Sequence, residues 1–178
     1  MLTDAQRRAL VAAARASVSS RVGGASSSPM ALSDLPTASG VFVTLKCSGR
    51  LRGCLGVIEM AAPLGVEVVR CAADAATRDP RFPPLTTNEL VDLSVEVSVL
   101  GPLERINPWA PEAIVLGRHG LVIEMGDHRG LLLPQVAIEW QWSREQFLSQ
   151  TCLKAKLAPD AWQRGASVYR FDAEVFGD

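Results

Sequence analysis

Histidine is scarce in this chain. Only His119 and His128 occur in 178 residues, which excludes a histidine-rich metal site. The four cysteines, Cys47, Cys54, Cys71 and Cys152, contain no C-x-x-C pair, so zinc-ribbon spacing is missing too and no metal ligand is assigned. Net charge is small: 18 basic against 19 acidic residues leave −1. The basic stripe expected of a nucleic-acid partner is therefore absent. There is no phosphate loop, G-x-S-x-G, H-E-x-x-H or G-x-G-x-x-G, and no cofactor is implied. The N-terminal segment carries Asp4, Arg7, Arg8 and Arg15, and so resembles neither a signal-peptide core nor a membrane span. A cytoplasmic location without membrane attachment is the default expectation.

What is present suits a globular domain. Hydrophobic residues make up 48% and charged residues 21%, enough apolar material for one domain over 1–178, with room for two lobes. The most informative stretch is Leu51-Arg52-Gly53-Cys54-Leu55-Gly56, which follows the strand-like run Val41 to Lys46. Ser48-Gly49 between them reads as a two-residue hairpin turn. An unbroken register pairs Cys47 with Arg50, Leu45 with Arg52 and Val43 with Cys54, and puts Arg50, Arg52 and Cys54 on one face. Cys47 and Cys54 then lie on the order of 13 Å apart at ~3.3 Å per residue, too far for a disulfide. All four cysteines are expected as free thiols, as in a reducing cytosol. Gly53 and Gly56 weaken a strand and mark a bulge or a close approach.

Along the chain, Thr3 with Gln6 is a capping box that opens a helix to about Val22. Residues 23–29, rich in Gly and Ser, read as a flexible loop. A second helix runs from Pro63 to about Arg78, with Val66, Val69, Ala73 and Ala76 as its apolar face, and Asp79-Pro80 ends it. Thr87 caps a short helical turn, and Leu93 to Leu100 alternates as a half-buried strand. Residues 112–116 fit a short helix or a strand equally. Gly120 to Met125 and Leu131 to Leu133 are strands around a turn at 126–130. Ser143 with Gln146 opens a further helix, and the chain ends on a strand near Val168 to Val175. Val57-Ile58-Glu59-Met60 recurs as Val122-Ile123-Glu124-Met125, a weak internal echo.

LRGCLG resembles the LRGCIG signature of the AMME-syndrome candidate protein (AMMECR domain) family, whose prokaryotic members include AmmeMemoRadiSam system protein A. The resemblance continues in order through RDPRFPPLTTNEL, VEVSVLGPLE, GRHGLVIE, RGLLLPQVA and FLSQTCLKA. It implies an α+β fold, mainly antiparallel, with a barrel-like sheet, packed helices and a duplicated strand-helix unit. It also implies partnership with Memo-like and radical-SAM proteins. The chain departs from the family at Lys156, where members usually place Gly, so the helix end there is expected to be rebuilt.

Two constellations could carry function. Cys54 beside Arg52 is a candidate thiol nucleophile, because a cation favours thiolate; His119, in the family-like GRHGL segment, is its candidate base and Glu96 a candidate carboxylate. His128 reads as a solvated turn residue. The bland alternative makes Cys54 a small buried hydrophobe in a bulged hairpin. The second constellation is Arg78-Asp79-Pro80-Arg81-Phe82. Its arginines suit a carboxylate or phosphate, such as a small acidic ligand, and with Phe82 they equally suit a protein-binding edge. The alternative there is a helix C-terminus with an internal Asp–Arg pair. Trp109, Trp140, Trp142 and Trp162 are expected to pack the core or the lobes. The strand at Arg52, Gly53, Cys54 and Gly56 and the loop at Arg78, Asp79, Arg81 and Phe82 are expected to share one binding surface. The function expected is a binding or accessory factor; the alternative is a small enzyme using Cys54 for acyl or thiol transfer.

Overall fold

The computed structural model describes residues 2–24, 32 and 34–178. The expected flexible loop lies, from residue 25 to 29, outside the described residues. The chain forms two compact units. One runs from the N-terminus to Leu100 and takes back Glu174–Asp178; the other is Gly101–Ala173. Each combines helices with antiparallel strands, so the fold is α+β.

In the first unit, helix α1 (Asp4–Gly23) starts at the Thr3–Gln6 capping box and ends where Gly24 turns to φ 70°. Its Leu10, Ala14 and Val18 are fully buried. Strands β1 (Gly40–Cys47) and β2 (Arg50–Val57) form the expected hairpin. Ser48 and Gly49 have φ 48° and 76°, the pair of positive values that a primed turn needs. Strand β3 (Leu93–Leu100) pairs with the other edge of β1, giving the order β2-β1-β3.

The unbroken hairpin register does not hold. Cys47 pairs with Arg50 and Lys46 with Leu51, but Leu45 then pairs with Gly53 and Thr44 with Cys54. Arg52 is the extra residue of a β-bulge, which re-aims its side chain out of the strand's alternation. The expected face of helix α2 (Leu64–Thr77) is also corrected. Val66 and Val69 are 56% and 40% exposed, while Leu64, Val68, Cys71, Ala72 and Ala75 are buried. The helix is apolar around most of its circumference, so periodicity alone did not choose the side that α1 and the hairpin cover. A 3-10 turn at Thr87–Asp92 is capped by Thr86 with Glu89, not by Thr87.

In the second unit, β5 (His119–Met125) and β6 (His128–Leu132) form a hairpin around Gly126-Asp127. His128 thus begins a strand opposite Met125 and is not a turn residue. Strand β7 (Ser167–Gly177) pairs with β5, and the two-residue β4 (Glu104–Arg105) pairs with β7. Pro134 opens a short helix, α3 (Pro134–Glu139), after which Ser143 and Gln146 cap α4 (Arg144–Lys154) as expected. The undecided segment holds a 3-10 turn at Pro111–Ala113. Phe147, Leu148, Leu121 and Ile123 are buried in this unit's core, which also contains Trp162.

Lys156 does not rebuild the helix end, contrary to expectation. Its φ is 60°, the Leu157 N–H donates to the Cys152 carbonyl (2.9 Å), and the Lys156 N–H to Leu153 (2.9 Å). This is a left-handed C-terminal cap with a lysine in the strained position.

Each unit repeats a hairpin followed by a packed helix. The echo of Val57–Met60 in Val122–Met125 is not this repeat, since the first follows its hairpin and the second begins one. Both units carry an Arg-Gly pair in the second hairpin strand, Arg52-Gly53 in β2 and Arg129-Gly130 in β6. A Cβ on Gly53 would meet the Ala75 carbonyl oxygen of α2 at 2.1 Å, and one on Gly130 the Ala155 nitrogen just after α4 at 2.3 Å. In both units the helix backbone lies directly on the glycine.

Candidate functional site

The expected strand and loop meet, and Asp79 joins them. Helix α2 stops at Thr77 because Pro80 disfavours helical geometry at Asp79. The loop then turns back: the Leu85 N–H donates to the Ala76 carbonyl at 2.8 Å. This carries Asp79 against β2, where it is only 4% exposed. Its Oδ2 accepts from the Cys54 backbone N–H (2.8 Å) and from Arg81 Nη2 (2.7 Å). Its Oδ1 accepts from Arg81 Nε (3.0 Å) and the Arg81 N–H (3.1 Å). Arg81, and after it the Cys54 amide, stabilise the carboxylate and hold its pKa down at about 2. Arg81 also reaches the Cys54 carbonyl at 3.4 Å.

Arg52 closes the same surface from the other side. The bulge turns it to Glu89, with Nε and Nη2 on the two carboxylate oxygens, and to the Pro83 carbonyl at 3.3 Å. Glu89 also accepts from the Thr86 N–H (2.8 Å) and hydroxyl (2.9 Å). Arg52 first, then the Thr86 N–H, hold its carboxyl at about 2. The Phe82 ring lies within cation–π reach of both guanidiniums, 5.9 Å from that of Arg52 and 5.4 Å from that of Arg81. Gly53 supports α2, and Gly56 pairs with Phe42, whose ring lies against it. Arg78 is not drawn in; it pairs with Asp74 at 3.3 Å and is largely exposed.

Cys54 is a free, half-buried thiol. Its Sγ accepts from the Thr44 hydroxyl at 3.3 Å. Thr44 also faces Glu96 on β3, so Cys54, Thr44 and Glu96 form one row across three strands. Two strand spacings put the ends of this row on the order of 10 Å apart. Glu96 itself pairs with Lys46 at 3.4 Å. His119 belongs to the other unit. Its Nδ1 accepts from the Val115 N–H (3.0 Å), and burial followed by the charge of Arg170 lowers its pKa. It is a buried neutral imidazole with a structural bond. Burial pushes Cys71 up to about 11 and raises Cys152, while burial and then Glu89 raise Cys47.

Chemically, the arrangement is a stiff, internally neutralised edge. A hydroxyl beside Cys54 is no base, and the Cys54 N–H is already engaged by Asp79. Sequence reasoning missed Glu89 and Thr44. Glu89 was detectable from Thr86-x-x-Glu89, a capping-box spacing; Thr44 meets Cys54 only because of the bulge. Among the described residues, no cluster of three or more His, Cys, Asp or Glu side chains could hold a metal ion. No helix among them is long and apolar enough to cross a membrane.

A family model described as AMMECR1 matches residues 11–176. A protein from Methanothermobacter thermautotrophicus is 50% identical over 142 residues, covering 77% of this chain and 74% of its own. One from Methanosarcina acetivorans is 43% identical over 185 residues, covering 99% and 93%. The crystal structure of an uncharacterised protein from Pyrococcus horikoshii superimposes with a TM-score of 0.88 at 40% identity, over 99% of this chain and 93% of that one.

Proposed function

The chain belongs to the AMMECR1 family, and from that premise we propose that it is a cytoplasmic binding or accessory protein. It engages a partner through the surface formed by Arg52-Gly53-Cys54 and Asp79 to Phe82. Memo-like and radical-SAM proteins are the partners the family resemblance suggests. One observation carries the reading: a buried aspartate fastens a proline-rich loop to the bulged strand and presents Phe82 beside two arginines. A loop fixed in advance loses little entropy on binding, and aromatic and arginine side chains dominate interface energies. Both arginines already have a carboxylate partner, which favours a protein face over a site for a small acidic ligand.

Calorimetric titration of a Memo-like and a radical-SAM protein from the same genome into wild type and Phe82→Ala tests this. A Kd raised about tenfold or more, with an unchanged melting temperature, is expected. An unchanged Kd, or a loss explained wholly by unfolding, sinks the proposal.

The free, half-exposed thiol of Cys54 favours one second reading, a thiol-dependent acyl or thiol transfer. If it holds, a thioester probe should acylate Cys54 in the folded protein and leave Cys54→Ser unlabelled. Absence of labelling removes this reading.

A further inference from the structure

A groove of about 300 Å³ lies in the first unit, between α1 and the last residues of β7. Arg7, Arg8, Val11, Ala12 and Arg15 line it from the helix and Phe176 to Asp178 from the strand. The helix positions follow from periodicity. Leu10, Ala14 and Val18 face the core, so 8, 12 and 15 fall on the groove side, about 10 Å from end to end at ~1.5 Å per residue.

Both ends are clamped. At one end Glu174 accepts from Arg7 Nη2 (2.9 Å) and from the Leu2 N–H (3.1 Å). At the other, Asp178 Oδ2 accepts from Arg15 Nε (2.8 Å) and its Oδ1 from the Val95 N–H (2.9 Å), while Arg15 Nη2 donates to the Leu93 carbonyl (2.8 Å). Between the clamps the floor is apolar: Val11, Ala12 and the half-buried Phe176 ring. One cationic group remains over it. The Arg8 guanidinium has no hydrogen-bond or ion-pair partner among the described residues.

We propose that this groove is a binding site for a small carboxylate on a short apolar stem, of the size of a phenylalkanoic or medium-chain fatty acid. The stem covers Val11, Ala12 and Phe176, and the carboxylate takes the donors of Arg8. The complementarity is of both kinds. Glu174 and Asp4 pair with Arg7, and Asp178 with Arg15, so Arg8 is the guanidinium left for a negative ligand. The volume is at the lower bound for small-molecule clefts. Carboxylates prefer guanidinium donors, and Arg8 offers them unpaired.

The test is NMR titration of the α1 amide resonances of the full chain with phenylacetate and hexanoate, against the isosteric phenylacetamide and hexanamide. Ligands of ~9 heavy atoms reach about millimolar affinity. Saturation by the carboxylates is expected, with the amides at least about tenfold weaker. Arg8→Gln should weaken the carboxylates about fivefold or more and leave the amides unchanged. Ala12→Trp should fill the groove and abolish binding. Both positions are on the helix surface, so melting temperatures should hold. Equal binding of acid and amide, binding indifferent to either substitution, or no saturation up to about 10 mM overturns the proposal.

Discussion

Asp79→Asn isolates the group that fastens the loop to the strand. The substitution keeps the shape and removes the charge. Four donors converge on the wild-type carboxylate: the Cys54 N–H, the Arg81 N–H, and Arg81 Nε and Nη2. Asparagine offers one oxygen, so its amide NH2 must face a donor on the other side. The magnitude follows from linkage. The carboxyl lies at about 2, against 3.8 for an unperturbed aspartate. A difference of about 1.8 pH units corresponds to about 2.5 kcal/mol of native-state stabilisation. Leaving a buried charge pair broken costs up to about 3–5 kcal/mol. Arg81 is about half exposed and stays solvated when its partner goes, which keeps the cost near the lower figure.

Urea unfolding at pH 7 should therefore place the variant about 2–3 kcal/mol below wild type. In a thermal scan this is a fall of about 5–10 °C for a chain of this length. The sign of the pH dependence is fixed by the depressed pKa. The stabilisation is fully present above about 3.8 and is lost as pH falls toward about 2. The gap between wild type and variant should close across that window. A gap under about 0.5 kcal/mol at pH 7, or one constant from neutral pH down to about 2, would refute the clamp.

Other outcomes follow from single positions. Lys156→Gly should stabilise the protein by about 0.5–1 kcal/mol, read by thermal melting, because glycine accepts the φ of 60° without a Cβ penalty; a lowered midpoint would contradict it. Gly53→Ala should cost about 3 kcal/mol or more, seen as loss of soluble folded protein, because its Cβ would fall 2.1 Å from the Ala75 carbonyl oxygen. Iodoacetamide near pH 8 should modify half-exposed Cys54 well before Cys71 and Cys152, which are buried with raised pKa values; peptide mass mapping with and without denaturant would show the order. Arg81→Ala and Arg52→Ala should each lower stability as well as any binding, since each strips a partner from a carboxylate held at about 2; urea unfolding beside calorimetry separates the two effects.

Much of the architecture was legible because it depends on local rules. The two capping boxes Thr3–Gln6 and Ser143–Gln146 placed α1 and α4, and the Ser48-Gly49 turn and the alternation of Leu93 to Leu100 placed β1, β2 and β3. Each is set by residues within a few positions of one another. The family motifs located the strand and loop on which the candidate site is built. Tertiary structure decided the rest. Gly53 and Gly56 mark a bulge or a close approach, but that Arg52 is the skipped residue, and with it the pairing of Cys54 with Thr44, shows only in the paired strands. Val66 and Val69 repeat at helical spacing as the buried Val68, Cys71, Ala72 and Ala75 do, so spacing alone does not reveal the covered side; α1 and the hairpin cover the second set. From the residues alone, arginines and an aspartate are expected near Cys54. Only the folded chain decided that those charges neutralise one another, because whether a carboxylate faces solvent or four donors is fixed by segments brought together from far apart in the chain.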